Sequence, residues 1–327
     1  MTRATGIGSL PGTDIREALR EVRDTFGEPD LPYLPELPAR GPGADLVGRT
    51  AALLVDLHVD LQPAGWRLVD RPGRDAARTA SLWHEDLDEL AESFDGYAGD
   101  LKLQVCGPWT LAATVELTRG ERALVDDGAT RDLIGSLAEG LRRHLAEVQR
   151  LVPGAHLVVQ LDEPALPSVL GGSLPTASGY GRVRAVDRQR VAAGLRGVVD
   201  AAGERPVVVH CCHADVPIPL LRNVSASALA VDTSLLGPAQ WEALGESLES
   251  GIRLYAGCLP TDGTGTARGA AAGLAAAWGR LGLPVPTLDD LVVTPACGLA
   301  GLTPEGARSV QRAAREAARE LTDRAHA

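Results

Sequence analysis

Short apolar runs alternate with longer stretches of helical period along almost the whole chain. Eight of the runs read as strands: Ala4–Ser9, Leu31–Glu36, Leu101–Cys106, His156–Asp162, Pro206–Cys211, Leu229–Asp232, Ile252–Gly257 and Leu291–Ala296. Between most of them lie segments with apolar residues three to four apart. Ile15–Phe26 is one, with Asp14 placed as its cap, and Arg131–Val152, Arg188–Ala202, Pro238–Gly251, Ala267–Leu281 and Pro304–Ala325 share the period. Long stretches between strands suit right-handed crossovers and a parallel sheet. Eight strand–helix units in 327 residues predict an α/β fold, a single-domain (β/α)8 TIM barrel over residues 1–327. Pro32 and Pro35 weaken the second run as a strand. Gln62–Arg78 and Pro167–Arg184 exceed ordinary connections and read either as lids or as passive surface loops. No internal repeat or domain linker is visible.

Charge and composition narrow the function. There are 32 basic against 43 acidic side chains, a net of −11, and 3% aromatic residues. A general nucleic-acid binder needs a basic face and stacking rings, so none is expected. One lysine, Lys102, stands against 31 arginines. No phosphate loop of the Walker type is possible, and Schiff-base chemistry would rest on a residue inside an apolar run. No apolar stretch reaches about 18 residues, so no membrane span is expected. The start, MTRATGIGSLPG, lacks the apolar core of a signal peptide, and the expected location is cytoplasmic. The cysteines, Cys106, Cys211, Cys212, Cys258 and Cys297, then read as reduced thiols, metal ligands or core residues.

Residues able to do chemistry fall at the ends of the runs: Gly8-Ser9, Glu36, Cys106, Asp162-Glu163, His210-Cys211-Cys212-His213, Asp232, Cys258 and Cys297. In a barrel those ends share one rim, where active sites lie. Side chains two apart on a strand face the same way, so His210 and Cys212 can reach one metal ion. Cys297 adds a second thiolate, and Asp232 could complete a tetrahedral set that suits Zn²⁺ better than magnesium or calcium. Buried cysteines acting only as small core residues are the alternative. Asp162-Glu163 could be an acid–base pair, but neighbours on a strand point apart and one of them could cap a helix. Gly263–Thr266 reads as a turn. His58, His84, His144 and His156 have no recognisable partners and read as structural.

Six motifs then appear in order: GSLPGT at Gly8–Thr13, VCGPWT at Val105–Thr110, VQLDEPAL at Val159–Leu166, HCCH at His210–His213, VDTS at Val231–Ser234 and TPACGL at Thr294–Leu299. Together they resemble the C-terminal catalytic half of cobalamin-independent methionine synthase, as a short core form without a counterpart of that enzyme's N-terminal half. The wider barrel superfamily includes uroporphyrinogen decarboxylase. The resemblance implies one zinc ion held by His210, Cys212, Asp232 and Cys297, with aspartate where the family usually has glutamate. Cys211 would point away, and His213 stands where an aromatic residue is common. The resemblance implies homocysteine as substrate, with Asp162 as the catalytic residue on its amine, Glu36 as a second acidic contact, and the backbone at Gly8 and Ser9 on its carboxylate.

The implied reaction moves a methyl group from methyltetrahydrofolate or a methyl-corrinoid protein to the thiol of homocysteine or a related thiol. The family carries a histidine after the seventh strand as an acid, whereas this chain reads YAGCLPTDG with Cys258. Protonating a folate amine needs such an acid, and a methyl-corrinoid does not. Two other readings stay open. One is a decarboxylase of the uroporphyrinogen type, which needs no zinc; no arginine cluster suited to a polycarboxylate lies near the N-terminus. The other is a zinc- or ligand-binding barrel without catalysis.

Overall fold

Residues 1–327 are described from a computed structural model. Nine strands form: β1 (Arg3–Ala4), β2 (His58–Gln62), β3 (Gly65–Val69), β4 (Asp100–Cys106), β5 (His156–Asp162), β6 (Val207–Cys211), β7 (Ala228–Asp232), β8 (Arg253–Leu259) and β9 (Val292–Pro295). Seven of them make one parallel sheet in the order β1-β9-β8-β7-β6-β5-β4. The sheet curls until its edges, β1 and β4, face each other across the segment 31–36. Leu31 N–H donates to Ala4 O (2.9 Å) and Glu36 N–H to Gly8 O (3.1 Å) on one side. On the other, Leu34 N–H donates to Lys102 O (3.0 Å) and Lys102 N–H to Pro32 O (2.9 Å). The expected second strand therefore occupies the eighth place of the barrel without a regular ladder. Pro32 and Pro35 have no N–H to give, which leaves isolated parallel bridges at Ser9–Glu36 and Tyr33–Lys102.

Helices cover the outside of the ring at each predicted place, with bounds that shift by a few residues, as in Asp127–Leu151 and Pro238–Glu249. Caps explain several starts: Asp14 accepts from Glu17 N–H, Asp126 from Ala129 N–H and Thr303 from Gly306 N–H. Both long inserts hold regular elements that were not foreseen. The stretch expected as the long loop Gln62–Arg78 contains the strand β3, which pairs with β2 as an antiparallel hairpin, and the start of a helix, Arg74–Ser93. Val59 and Leu61 alternate with polar residues opposite Trp66 and Leu68, and Gly65 at φ +136° turns the chain. The second insert, Pro167–Arg184, holds a short helix, Leu166–Gly171, and one antiparallel bridge between Pro175 and Arg182.

The large core lies between sheet and helices. Inside the ring, Leu31, Val158, Val208, Ala228, Ala230, Tyr255 and Val292 form a separate apolar cluster. Above it, the same inward-facing register carries polar side chains: Lys102, Gln104, Gln160, Asp162, His210 and Thr294 are all buried.

Candidate metal centre

Strand β6 delivers His210, and the next turn delivers Cys212 on the same face; Cys297 follows β9 from across the ring. The ligand atoms of His210, Cys212 and Cys297 lie within 4.8 Å of one another. The two sulfurs are 3.1 Å apart. His210 Nδ1 lies 2.6 Å from Asp162 Oδ1 and donates to it. His210 Nε2 is buried and has no partner in the protein. A bare imidazole nitrogen beside two thiols is a donor set for a borderline-soft cation, and buried polar atoms are otherwise nearly always paired. The residues present therefore fit zinc.

The electrostatics suit thiolate formation. The Cys212 hydrogen bond, helped by His210, outweighs desolvation and draws Cys297 down to about 6. The same contact, with partial burial, pushes Cys212 up. Burial alone would lower His210, but the hydrogen bond and charge of Asp162 outweigh it and raise the imidazole above its ordinary value.

Behind the ligands sits a line of polar side chains. Gln160 Nε2 donates to Asp162 Oδ1 and to Ile7 O, each at 2.8 Å. Lys102 Nζ donates to Gln160 Oε1 (2.7 Å) and to Ile7 O (2.9 Å). Burial brings Lys102 down to about 7, with Asp162 and Glu36 pulling the other way. Burial likewise pushes Glu36 up to about 7, against the attraction of Arg49.

The other expected site residues are placed as follows. Ser9 bridges Glu36, and its carbonyl accepts from Leu299 N–H at 2.8 Å. A side chain at Gly298 would run into Ser9 Oγ, and one at Gly8 would come within 2.9 Å of Gln104. Ser9 thus lies against the loop that carries Cys297, with Gly8 and Glu36 beside it. Asp232 is not brought into the group of three. Its Oδ1 accepts from Ser234 N–H (2.9 Å) and Ser234 Oγ–H (2.6 Å), capping the turn Thr233–Leu235. His213 is partly exposed, and its Nδ1 accepts from Asp215 N–H. Cys211 is fully buried among apolar residues, where burial pushes its thiol up to about 12. Glu163 caps a helix, but the one that follows β4: it accepts from Trp109 N–H, Thr110 N–H and Thr110 Oγ–H at 2.7–2.8 Å. Gly107 leaves room for it, since a Cβ there would lie 2.5 Å from the Glu163 carboxyl. The sequence reading missed Lys102 and Gln160. Their signal was available: polar residues on alternate positions of otherwise apolar strands point into the ring.

The sequence profile of the family described as "Cobalamin-independent synthase, Catalytic domain" matches residues 1–320. The chain belongs to this family. Among solved structures it is similar to a B12-independent methionine synthase from Shewanella sp. W3-18-1 in complex with selenomethionine, at 17% identity and a TM-score of 0.51. That match covers 72% of this chain and 65% of the other, so the chain spans under two thirds of that protein. A weaker likeness, to the carboxyl transferase domain of Rhizobium etli pyruvate carboxylase, has 16% identity and a TM-score of 0.27 over 72% of this chain and 43% of that one, too low to inform the fold. No curated protein matches significantly. As a cobalamin-independent synthase catalytic domain the chain is a member of a barrel family, and the Shewanella structure agrees with it in fold. No helix is long and apolar enough to cross a membrane.

Proposed function

We propose that this synthase domain is a zinc-dependent methyltransferase that alkylates the thiol of homocysteine. One observation carries the reading: His210, whose Nε2 is buried and unpartnered, brings a ring nitrogen within 4.8 Å of the sulfurs of Cys212 and Cys297 at the end of a barrel strand. Those three would hold the ion, and three protein ligands with one open position is the arrangement of a catalytic rather than a structural zinc site. Bound zinc supplies the charge that turns a thiol, ordinarily near pKa ~8.5, into a thiolate at neutral pH.

The chain's own residues do the rest. Asp162 Oδ1 is taken by Gln160 and His210, which leaves Oδ2 without a protein donor and able to accept from the substrate ammonium. Glu36, on the other side of β4 from Asp162, adds a second acidic group close enough to feel its charge. The backbone at Gly8 and Ser9, held against Gly298, offers N–H groups to the substrate carboxylate. Cys258, near the end of β8, is pushed up to about 12 by burial and is too weak an acid to protonate a folate amine at neutral pH. A methyl-corrinoid is therefore the better donor, with methyltetrahydrofolate the slower one.

X-ray absorption at the zinc edge tests the thiol step. Wild-type protein should bind one zinc with two sulfur ligands, and homocysteine should add a third. Cys212→Ser should lose one sulfur and most of the metal. A zinc shell unchanged by homocysteine would contradict the reading.

A further inference from the structure

We propose that Lys102, the single lysine of the chain, is a positioning residue: through Gln160 and Asp162 it fixes the orientation and tautomer of His210. The inference rests on the zinc reading above, but Lys102 and Gln160 themselves touch neither metal nor substrate.

Lys102 is fully buried inside the ring, with Nζ 5.1 Å from the centre of the Tyr33 ring. No carboxylate lies within ion-pairing distance of it, so it is a costly residue to bury on grounds of stability alone. Its hydrogen bonds go to two neutral oxygens, Ile7 O and Gln160 Oε1. Whether ammonium or amine, Nζ carries at least two hydrogens, so it can donate to both oxygens in either state.

That donation decides which way the Gln160 amide faces. With Oε1 towards the lysine, Nε2 is left to donate to Ile7 O and Asp162 Oδ1. The reversed amide would set its NH2 against Nζ and its oxygen against both Ile7 O and the Asp162 carboxylate, three repulsive contacts in place of three bonds. Asp162 Oδ1 then accepts from Gln160 and from His210 Nδ1–H. The hydrogen of the neutral imidazole is thereby kept on Nδ1, and the unpartnered Nε2 keeps a bare lone pair in a residue that shares its site with Cys212 and Cys297. Every bond from Lys102 to His210 runs in the direction that a metal-ligating histidine needs, and outer partners of this kind typically change metal affinity 10–100-fold.

Two variants and two readouts test this. Metal-free protein labelled with ¹⁵N-histidine, its His210 signals assigned with His210→Gln, reports the tautomer. Chelator competition reports zinc affinity. At alkaline pH, where the imidazole is neutral, wild type should show only the Nδ1–H form. Lys102→Met and Gln160→Leu should each admit the Nε2–H form and weaken zinc about tenfold. The double variant should lose little more than either single change, because the residues act as one chain. Should Lys102→Met not fold by circular dichroism, Gln160→Leu decides alone. A single Nδ1–H tautomer and zinc affinity within twofold of wild type in the folded variants would overturn the inference. Failure of wild type to bind zinc would strike the proposed function instead, while the tautomer of the metal-free protein would still test the role of Lys102.

Discussion

Asp232 and Cys297 both follow barrel strands, yet only the cysteine faces the imidazole of His210. Asp232 spends its Oδ1 on the Ser234 turn. Asp232→Ala should therefore cost about 1 kcal/mol in local capping and weaken zinc far less than Cys297→Ala, as equilibrium dialysis would show. Equal losses would place the carboxylate on the metal. Glu36 gives a pH test. Its pKa is raised from 4.5 to about 7 by burial, so the folded state holds a proton that the unfolded state has lost between those values. The stability linked to that proton is present below pH 4.5 and disappears as pH rises through 7. Glu36→Gln cannot ionise and should gain on wild type between pH 5 and pH 8, by on the order of 3 kcal/mol at most, in urea titrations of the metal-free protein. A difference independent of pH would show that Glu36 is solvated. At this scale the convergence of His210, Cys212 and Cys297 was legible through alternation on one strand and a motif on another. It could not show that Asp162 serves His210, because that contact joins β5 to β6 through a register visible only in the sheet.

Glu163 shows how an element depends on a neighbour. The helix Pro108–Thr114 has no side-chain cap of its own at Gly107, and the Glu163 carboxylate replaces it from the next strand. Glu163→Ala would strand the N–H groups of Trp109 and Thr110 in the interior. It should destabilise the protein by about 3 kcal/mol, read as a lower urea midpoint at unchanged slope. A loss under 1 kcal/mol would mean that water replaces the carboxylate. Regular strands with both faces buried were legible to within a residue or two at β4, β5, β6 and β7. The hairpin β2–β3 was not, because Pro63 and Gly65 mark its turn with the composition of a loop. The segment 31–36 was legible as a place in the ring but not as a ladder, since its prolines remove donors that a regular strand would use.

Across the whole molecule, the ring gathers motifs that are more than 280 residues apart in sequence, from Gly8-Ser9 to Cys297-Gly298, onto one rim. That convergence was predictable from the alternating pattern once the strands were ordered by right-handed crossovers. The proposed function rests on what that rim would do with a thiol and a methyl group. The most direct measurement is methionine formation from homocysteine by zinc-loaded wild type, with methylcobalamin and methyltetrahydrofolate compared as donors and Cys212→Ser as the control. The account predicts zinc-dependent turnover that is faster with methylcobalamin and at least 100-fold lower in the variant, since that change removes a ligand to the ion. Protein that carries one zinc per chain yet forms no methionine from either donor would contradict it.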